Sequence, residues 1–169
     1  IWSSTFSKLV GLNKENSYLL VISDIGRIIK FKITKKDFPL MGKLAQGSSL
    51  IKLFPNENII ESLTITEKEI RDLILITNKA TFVKYNTNKI RLSKKGELGT
   101  IGIKFKDKKN IKNRLINCFI NNKHIYIKTN KDRYEKLETE EITSEKAQKE
   151  KKLGITLHEN EFIQSAFSM

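Results

Sequence analysis

The reading of this chain turns on two stretches, "LLVISDIGRIIKF" at Leu19–Phe31 and "LILITNKATFVKY" at Leu73–Tyr85. Each has four apolar residues, a hydroxyl residue, a polar turn, and a return that ends apolar–Lys–aromatic. A shift of 54 residues lays Leu19 on Leu73, Ser23 on Thr77, Lys30 on Lys84 and Phe31 on Tyr85. A further shift of 52 carries Thr77 to Thr129, Phe82 to Tyr134, Lys84 to Lys136 and Tyr85 to Leu137. Downstream, "SLIKL" (Ser49–Leu53), "IGIKF" (Ile101–Phe105) and "LGITL" (Leu153–Leu157) keep the 52-residue spacing, and "NENIIESLTI" (Asn56–Ile65) returns as "ENEFIQSAFS" (Glu159–Ser168).

Repetition at about 50 residues marks an array of small units that must stack to bury a core. Local patterning makes each unit β. Leu19–Ile22 and Leu73–Ile76 are short continuous apolar runs, as in strands covered on both faces. Asp24 suits an Asx turn and Gly26 a positive φ, so "SDIGR" predicts a hairpin. On the return strand, period two sets Phe31 and Ile33 on one face and Lys30 and Lys32 on the other, expected to be outward. Pro39 and Pro55 bound a predicted strand at Leu50–Phe54 without interrupting it. The expectation is therefore all-β: a propeller-like β-pinwheel of three to four four-stranded blades, closed or left as an open arc. One repeat-built domain would span 1–169. Residues 1–12 would close a truncated blade, 13–66 and 67–121 form two blades, and 122–169 form a degenerate terminal blade with a charged loop at 138–152.

Composition limits the function. The formal charge is +13 and the pI near 9.7, which calls for a polyanionic partner, nucleic acid first and an anionic membrane second. Residues 1–121 hold 23 Lys and Arg against 10 Asp and Glu, and residues 122–169 hold nine of each. The excess is thus located. Hydrophobic content of 38% with nine Phe supports a core and argues against a disordered tail. No apolar run nears the ~20 residues of a membrane helix, so no membrane partner is expected. Lone Cys118, in "RLINCFI", reads as a small buried hydrophobe and suits a reducing cytoplasm. With no initiator Met and no signal-like segment at Ile1, the chain reads as the downstream part of a longer polypeptide.

The quoted residues resemble the C-terminal domain of bacterial type IIA topoisomerase A subunits, those of DNA gyrase and topoisomerase IV. That family's blade has a Leu-Leu-Leu-Val-Thr hairpin with Gly-Arg and Lys, a Phe-Pro turn, a Gly-containing loop and an apolar–Ile–Lys–Leu strand. Leu19–Ser23, Gly26, Arg27, Lys30, Asp37, Phe38, Pro39, Gly47 and Leu50–Leu53 supply these in the first copy. Leu73–Thr77, Lys84, Tyr85, Gly99 and Ile101–Phe105 supply the second, without the hairpin Gly or the Phe-Pro; Gly154 and Leu157 survive in the third. The resemblance implies a β-pinwheel whose basic rim binds, bends and wraps double-stranded DNA without chemistry or cofactor. It also implies as partners the N-terminal cleavage domain of the same subunit and the ATPase subunit. The location implied is the cytoplasm, at the nucleoid. The chain lacks the Gln-Arg-Arg-Gly-Gly-Lys-Gly box of gyrase; its nearest loops are Gly42–Gly47 and Lys94–Gly99.

The candidate DNA contacts are Arg27, Lys30, Lys32, Lys35, Lys36 and Lys43 in the first copy, and Lys79, Lys84, Lys89, Arg91, Lys94, Lys95, Lys104 and Lys106 in the second. About eight phosphate contacts predict a log K against log salt slope near −7. Reversal of Lys30 and Lys84 to Glu is predicted to weaken binding more than reversal of Lys146 and Lys149. No catalytic or metal site is expected. Arg133-Tyr134 imitates a DNA-cleaving pair, but Tyr134 takes the repeat position of Ile28 and Phe82, predicted core. His124 and His158 are not spaced as ligands. A protein-interaction propeller is the alternative; exposed aromatics away from the basic rim would favour it.

Overall fold

The structure is a computed structural model that describes residues 17–39, 42, 44–46, 49–66, 71–105, 113–120, 123–141, 151–152 and 155–168. The predicted closing strand at 1–12 lies outside these. Eleven strands among the described residues form three antiparallel sheets. β1 (Ser17–Ser23) turns back into β2 (Arg27–Lys32), with Leu20 opposite Lys30 and Ile22 opposite Ile28, and β3 (Ile59–Thr66) pairs with the other edge of β1. The second repeat builds β4 (Asp72–Thr77), β5 (Thr81–Asn86) and β7 (Leu115–Ile120) in the same way. The third builds β8 (His124–Thr129), β9 (Tyr134–Glu138) and β11 (Ile163–Phe167).

The fourth strand of a sheet comes from the next repeat. β6 (Thr100–Ile101) pairs with β2, and β10 (Lys151–Lys152) pairs with β5. Two sheets therefore draw strands from both sides of residues 66/67 and 121/122. β10 also lies within the segment 138–152, whose residues 142–150 are outside the described ones. The predicted strand at Leu50–Phe54 forms no ladder. β3 and β11 both lie against β7, so the third-built strands of neighbouring repeats meet.

Alternation within the apolar runs explains the stacking. Leu20, Ile22 and Ile28 from the first sheet meet Leu73, Leu75, Val83 and Tyr85 from the second in one core. From the opposite face of the second sheet, Ile74, Ile76 and Phe82 meet Ile125, Ile127 and Ile163 of the third. Leu19, Val21, Ile29 and Phe31 are capped by Phe38, Leu50 and Ile51. Because successive side chains point to opposite faces, a strand between two neighbours must be apolar at every position. Full burial of each Leu or Ile is worth roughly 1.5–3 kcal/mol.

The hydroxyl-plus-Asx signature of the quoted stretches is a pin. Ser23, Thr77 and Thr129 each accept, on the side-chain oxygen, the N–H four residues on, from Arg27, Thr81 and Arg133. Asp24, Asn78 and Asn130 accept the N–H of Asn58, Arg114 and Phe162, which tethers the third strand of each repeat. The carbonyls of Asp24 and Asn78 then take the N–H of Leu115 and Ile163 in the following repeat. One dipeptide thus closes the hairpin and joins neighbouring sheets.

Gly26 (φ 82) has counterparts in Ala80 (φ 55) and Asp132 (φ 56), so the turn itself tolerates a side chain. Gly26 differs because the borrowed strand crosses it: the N–H groups of Gly102 and Ile103 donate to its carbonyl, and a Cβ would stand 2.7 Å from the Ile103 oxygen. Gly26→Ala is expected to lose about 2 kcal/mol in urea unfolding, from left-handed strain plus the forced shift. Ala80→Gly should stay within about 1 kcal/mol of the parent. Equal small changes at both positions would contradict the crossing.

Candidate nucleic-acid interface

Where the predicted cations fall depends on which surfaces stacking leaves open. Arg27 is 4% exposed. Its Nε and Nη2 donate to Glu57 Oε1 and Oε2 at 2.7 and 2.6 Å, Nη1 to the Leu98 carbonyl and Nη2 also to the Lys52 carbonyl. The guanidinium stacks 4.7 Å from the Phe54 ring centroid. Burial pushes the Glu57 carboxyl up, but hydrogen bonds from Arg27, the Phe54 N–H and the Ser23 hydroxyl, with the Arg27 charge, outweigh it and hold the group below its ordinary value. The third repeat rebuilds the clip: Arg133 Nε and Nη2 donate to Glu161 at 3.2 Å, and Nη2 also to the Thr156 carbonyl. Glu161 is held low first by the His158 N–H, then by the Thr129 hydroxyl and, against burial, the Arg133 charge.

Arg27 is therefore buried as a structural clip and does not stand on the outward face expected for it. Lys30 is corrected in the same way. It is 6% exposed, with Nζ donating to the Thr87 carbonyl at 3.0 Å and lying 4.6 Å from the Tyr18 ring centroid. Lys84, largely covered, pairs with Asp72 at 3.1 Å. The face expected to point outward is the one packed between the first and second sheets. In a stack both faces of an inner sheet are covered, so solvent meets only edges and strand ends. The recurrence of Arg with Glu at matched places (Arg27 and Glu57, Arg133 and Glu161) was the signal in the sequence for the clip.

The open cations lie at such edges. Lys32 ends β2 and is exposed; Lys35 and Lys36 stand on the next turn, which Thr34 Oγ1 closes by donating to Asp37 at 2.6 Å. The second repeat brings residues 87–96 against the same edge. The Ser93 N–H donates to the Lys30 carbonyl, the Gly96 N–H donates to the Leu50 carbonyl, and Lys95 Nζ lies 5.7 Å from the Phe38 ring centroid. Exposed Lys89, Arg91, Lys94 and Lys95 are thereby carried beside Lys32, Lys35 and Lys36. Arg91 meets Glu97 at 3.5 Å with the guanidinium 72% exposed, a pair of little strength. Lys79 and Lys104 are exposed as well, but at the hairpin end of the sheets, where Ile103 meets Gly26. Lys43 and Lys106 lie outside the described residues.

Chemistry-bearing groups do not gather elsewhere. Among the described residues, no three of His, Cys, Asp and Glu come together as ligands, and no helix is long and apolar enough to cross a membrane. Cys118 is buried, which pushes its thiol up, as a packing residue requires. Tyr134 departs from its predicted core position: it is 61% exposed, on the outward face of the third sheet, with Lys128 Nζ 5.6 Å from its ring centroid. Tyr126 and Phe167 stack on the same face at 5.7 Å.

The fold and this edge define a propeller-like array of strand-exchanging sheets that, among the described residues, carries a run of exposed cations where the second repeat overlaps the first. Residues 17–62 and 71–110, just over half of the chain, match the family described as "DNA gyrase C-terminal domain, beta-propeller", and the chain belongs to that family. Solved structures agree in fold. The C-terminal domain of DNA topoisomerase IV superposes with a TM-score of 0.75 at 16% identity, covering 90% of this chain and 46% of that one. The DNA gyrase A C-terminal domain gives 0.66 at 18%, covering 92% and 50%, and the E. coli ParC C-terminal domain gives 0.67 at 19%, covering 92% and 61%. The chain thus spans about half to three-fifths of these domains. No curated protein matches it.

Proposed function

We propose that the chain binds and bends double-stranded DNA along its outer edge, without catalysis, as the C-terminal domain of a type II topoisomerase A subunit. The observation that supports this reading best is the strip formed by Lys32, Lys35, Lys36, Lys89, Arg91, Lys94 and Lys95, drawn from two repeats. Long flexible ammonium groups on an exposed edge suit phosphates and carry little sequence information, so selectivity would come from how readily a duplex bends. In this reading the domain holds the transported duplex for the N-terminal cleavage domain and the ATPase subunit, in the cytoplasm at the nucleoid. The aromatic face of the third sheet is the feature that a protein-docking reading would use. There, however, Lys136 pairs with Glu138 at 3.0 Å, Lys128 with Asp132 at 2.8 Å, and His124 Nδ1 lies 3.0 Å from Glu138.

A salt titration of binding to random-sequence duplex tests the reading. Six or seven phosphate contacts give a log K against log salt slope of about −6. A slope near zero would reject it.

A further inference from the structure

We propose that Leu98 and Ile101, on the outer edge of the first sheet, enter the minor groove of the bound duplex and pack on its deoxyribose walls. This rests on the DNA-binding reading and adds a groove to it. β6 is the edge strand of its sheet, with Ile101 opposite Arg27. The Arg27 guanidinium gathers the neighbours: Nη1 donates to the Leu98 carbonyl at 3.0 Å, Nη2 to the Lys52 carbonyl at 2.8 Å, and Cζ stands over the Phe54 ring. Leu98 is 53% exposed, Ile101 52% and Phe54 46%. Single exposed apolar residues are ordinary, but a group of them bordered by cations marks a contact surface.

The backbone holds this exposure in place. Gly99, at φ 76, lies so close to β2 that a Cβ would stand 2.5 Å from Ile29 Cγ1 and 2.7 Å from the Ile28 oxygen. At Gly102 a Cβ would stand 2.5 Å from Ile28 Cδ1. The two glycines press the chain onto the sheet, and Leu98 and Ile101, one residue before each, are left standing outward. Exposed Lys94 and Lys95 precede the pair and exposed Lys104 follows it. The Ser93 N–H bonds at Lys30 and the Gly102 N–H at Gly26. That edge of about 13 Å brings a cation to each wall of a groove about 6 Å wide. Glu97, the acid of this turn, lies against Arg91 at 3.5 Å. Apolar side chains between cations suit the minor groove, whose walls are sugars and whose flanks are phosphates; the major groove offers apolar surface only at thymine methyls. Guanine sets a 2-amino group in the minor groove, which would lose water against Leu or Ile and gain no partner.

The test uses the whole chain and two duplexes of one sequence, one with G·C pairs and one with inosine in place of every guanine. The exchange removes the 2-amino group and leaves the major-groove edge as it was. The parent should bind the inosine duplex about fivefold more tightly. The double variant Leu98→Ser, Ile101→Thr should bind random-sequence duplex about tenfold more weakly, with a less negative heat-capacity change and an unchanged salt slope. It should also lose the preference for inosine. Unchanged affinity in the variant would overturn the minor-groove contact and give the patch to a protein partner. A preference that survives in the variant would overturn it too, by tracing the preference to duplex bending. So would a shallower slope, because displaced cations would then explain the loss. Leu98→Asn alone should cost about threefold, which keeps the test decisive if the double variant fails to fold. Failure of the DNA reading looks different: a slope near zero in the parent chain.

Discussion

Reversing Lys36, Lys94 and Lys95 together to Glu is expected to weaken duplex binding at least about 500-fold at 0.1 M salt. Each phosphate contact releases about 0.9 of a counterion, so at that salt each is worth close to a factor of ten, and three removed contacts multiply. The new negative charges add repulsion to this floor. All three side chains are exposed, so the fold should survive with an unchanged unfolding midpoint. The comparison is Lys123 and Lys131, exposed on the third sheet away from the strip. Their reversal to Glu should cost less than about tenfold. Equal losses from the two sets would mean that charge acts diffusely and that no strip exists. Lys30 and Lys84, the pair singled out by alternation, make poor probes, because a Glu at Lys30 would place a carboxylate in the buried space between two sheets.

The second large effect is on stability. Glu57→Ala should destabilise the chain by about 3–5 kcal/mol, because it strands the Arg27 guanidinium at a buried site and frees the Phe54 N–H. Differential scanning calorimetry would read this as a fall of about 10 °C in Tm. The second repeat shows what the position tolerates when both partners change together. By register with Leu115 and Ile59, Asn113 replaces Glu57, and Thr81 replaces Arg27. The double variant Arg27→Thr, Glu57→Asn should therefore recover a large part of the loss. pH gives an independent reading of the same clip. Glu57 and Glu161 both sit below their ordinary 4.5 in the folded chain, so their contribution is complete above that value and is lost as pH falls through the lowered ones. The Glu57→Ala variant should lose less stability than the parent over that acid range. Identical acid profiles would show that the clip contributes nothing.

The exchange of strands between repeats was not legible beforehand, and the reason lies in how little sequence it uses. β6 and β10 are two residues each, and pairing through backbone groups leaves no side-chain pattern to detect. "IGIKF" was visible as a repeated apolar segment, yet nothing in it says whether Ile101 belongs beside Ile28 of the preceding unit or beside its own hairpin. The Arg27 clip was missed for a different reason. An Arg next to a turn reads as surface unless its partner 30 residues away is noticed.

By itself the sequence determined the repeat, the β character of each unit, the hairpin chemistry of Ser23-Asp24 and Thr77-Asn78, and a charge excess confined to residues 1–121. Those properties are local, or are sums over the chain, and spacing and composition express them directly. Which cations face solvent was decided only in three dimensions. Alternation separates the two faces of a strand but cannot say that a neighbouring sheet covers both. Once it does, Arg27 and Lys30 go inside, and the open charge moves to the edge where the second repeat overlaps the first.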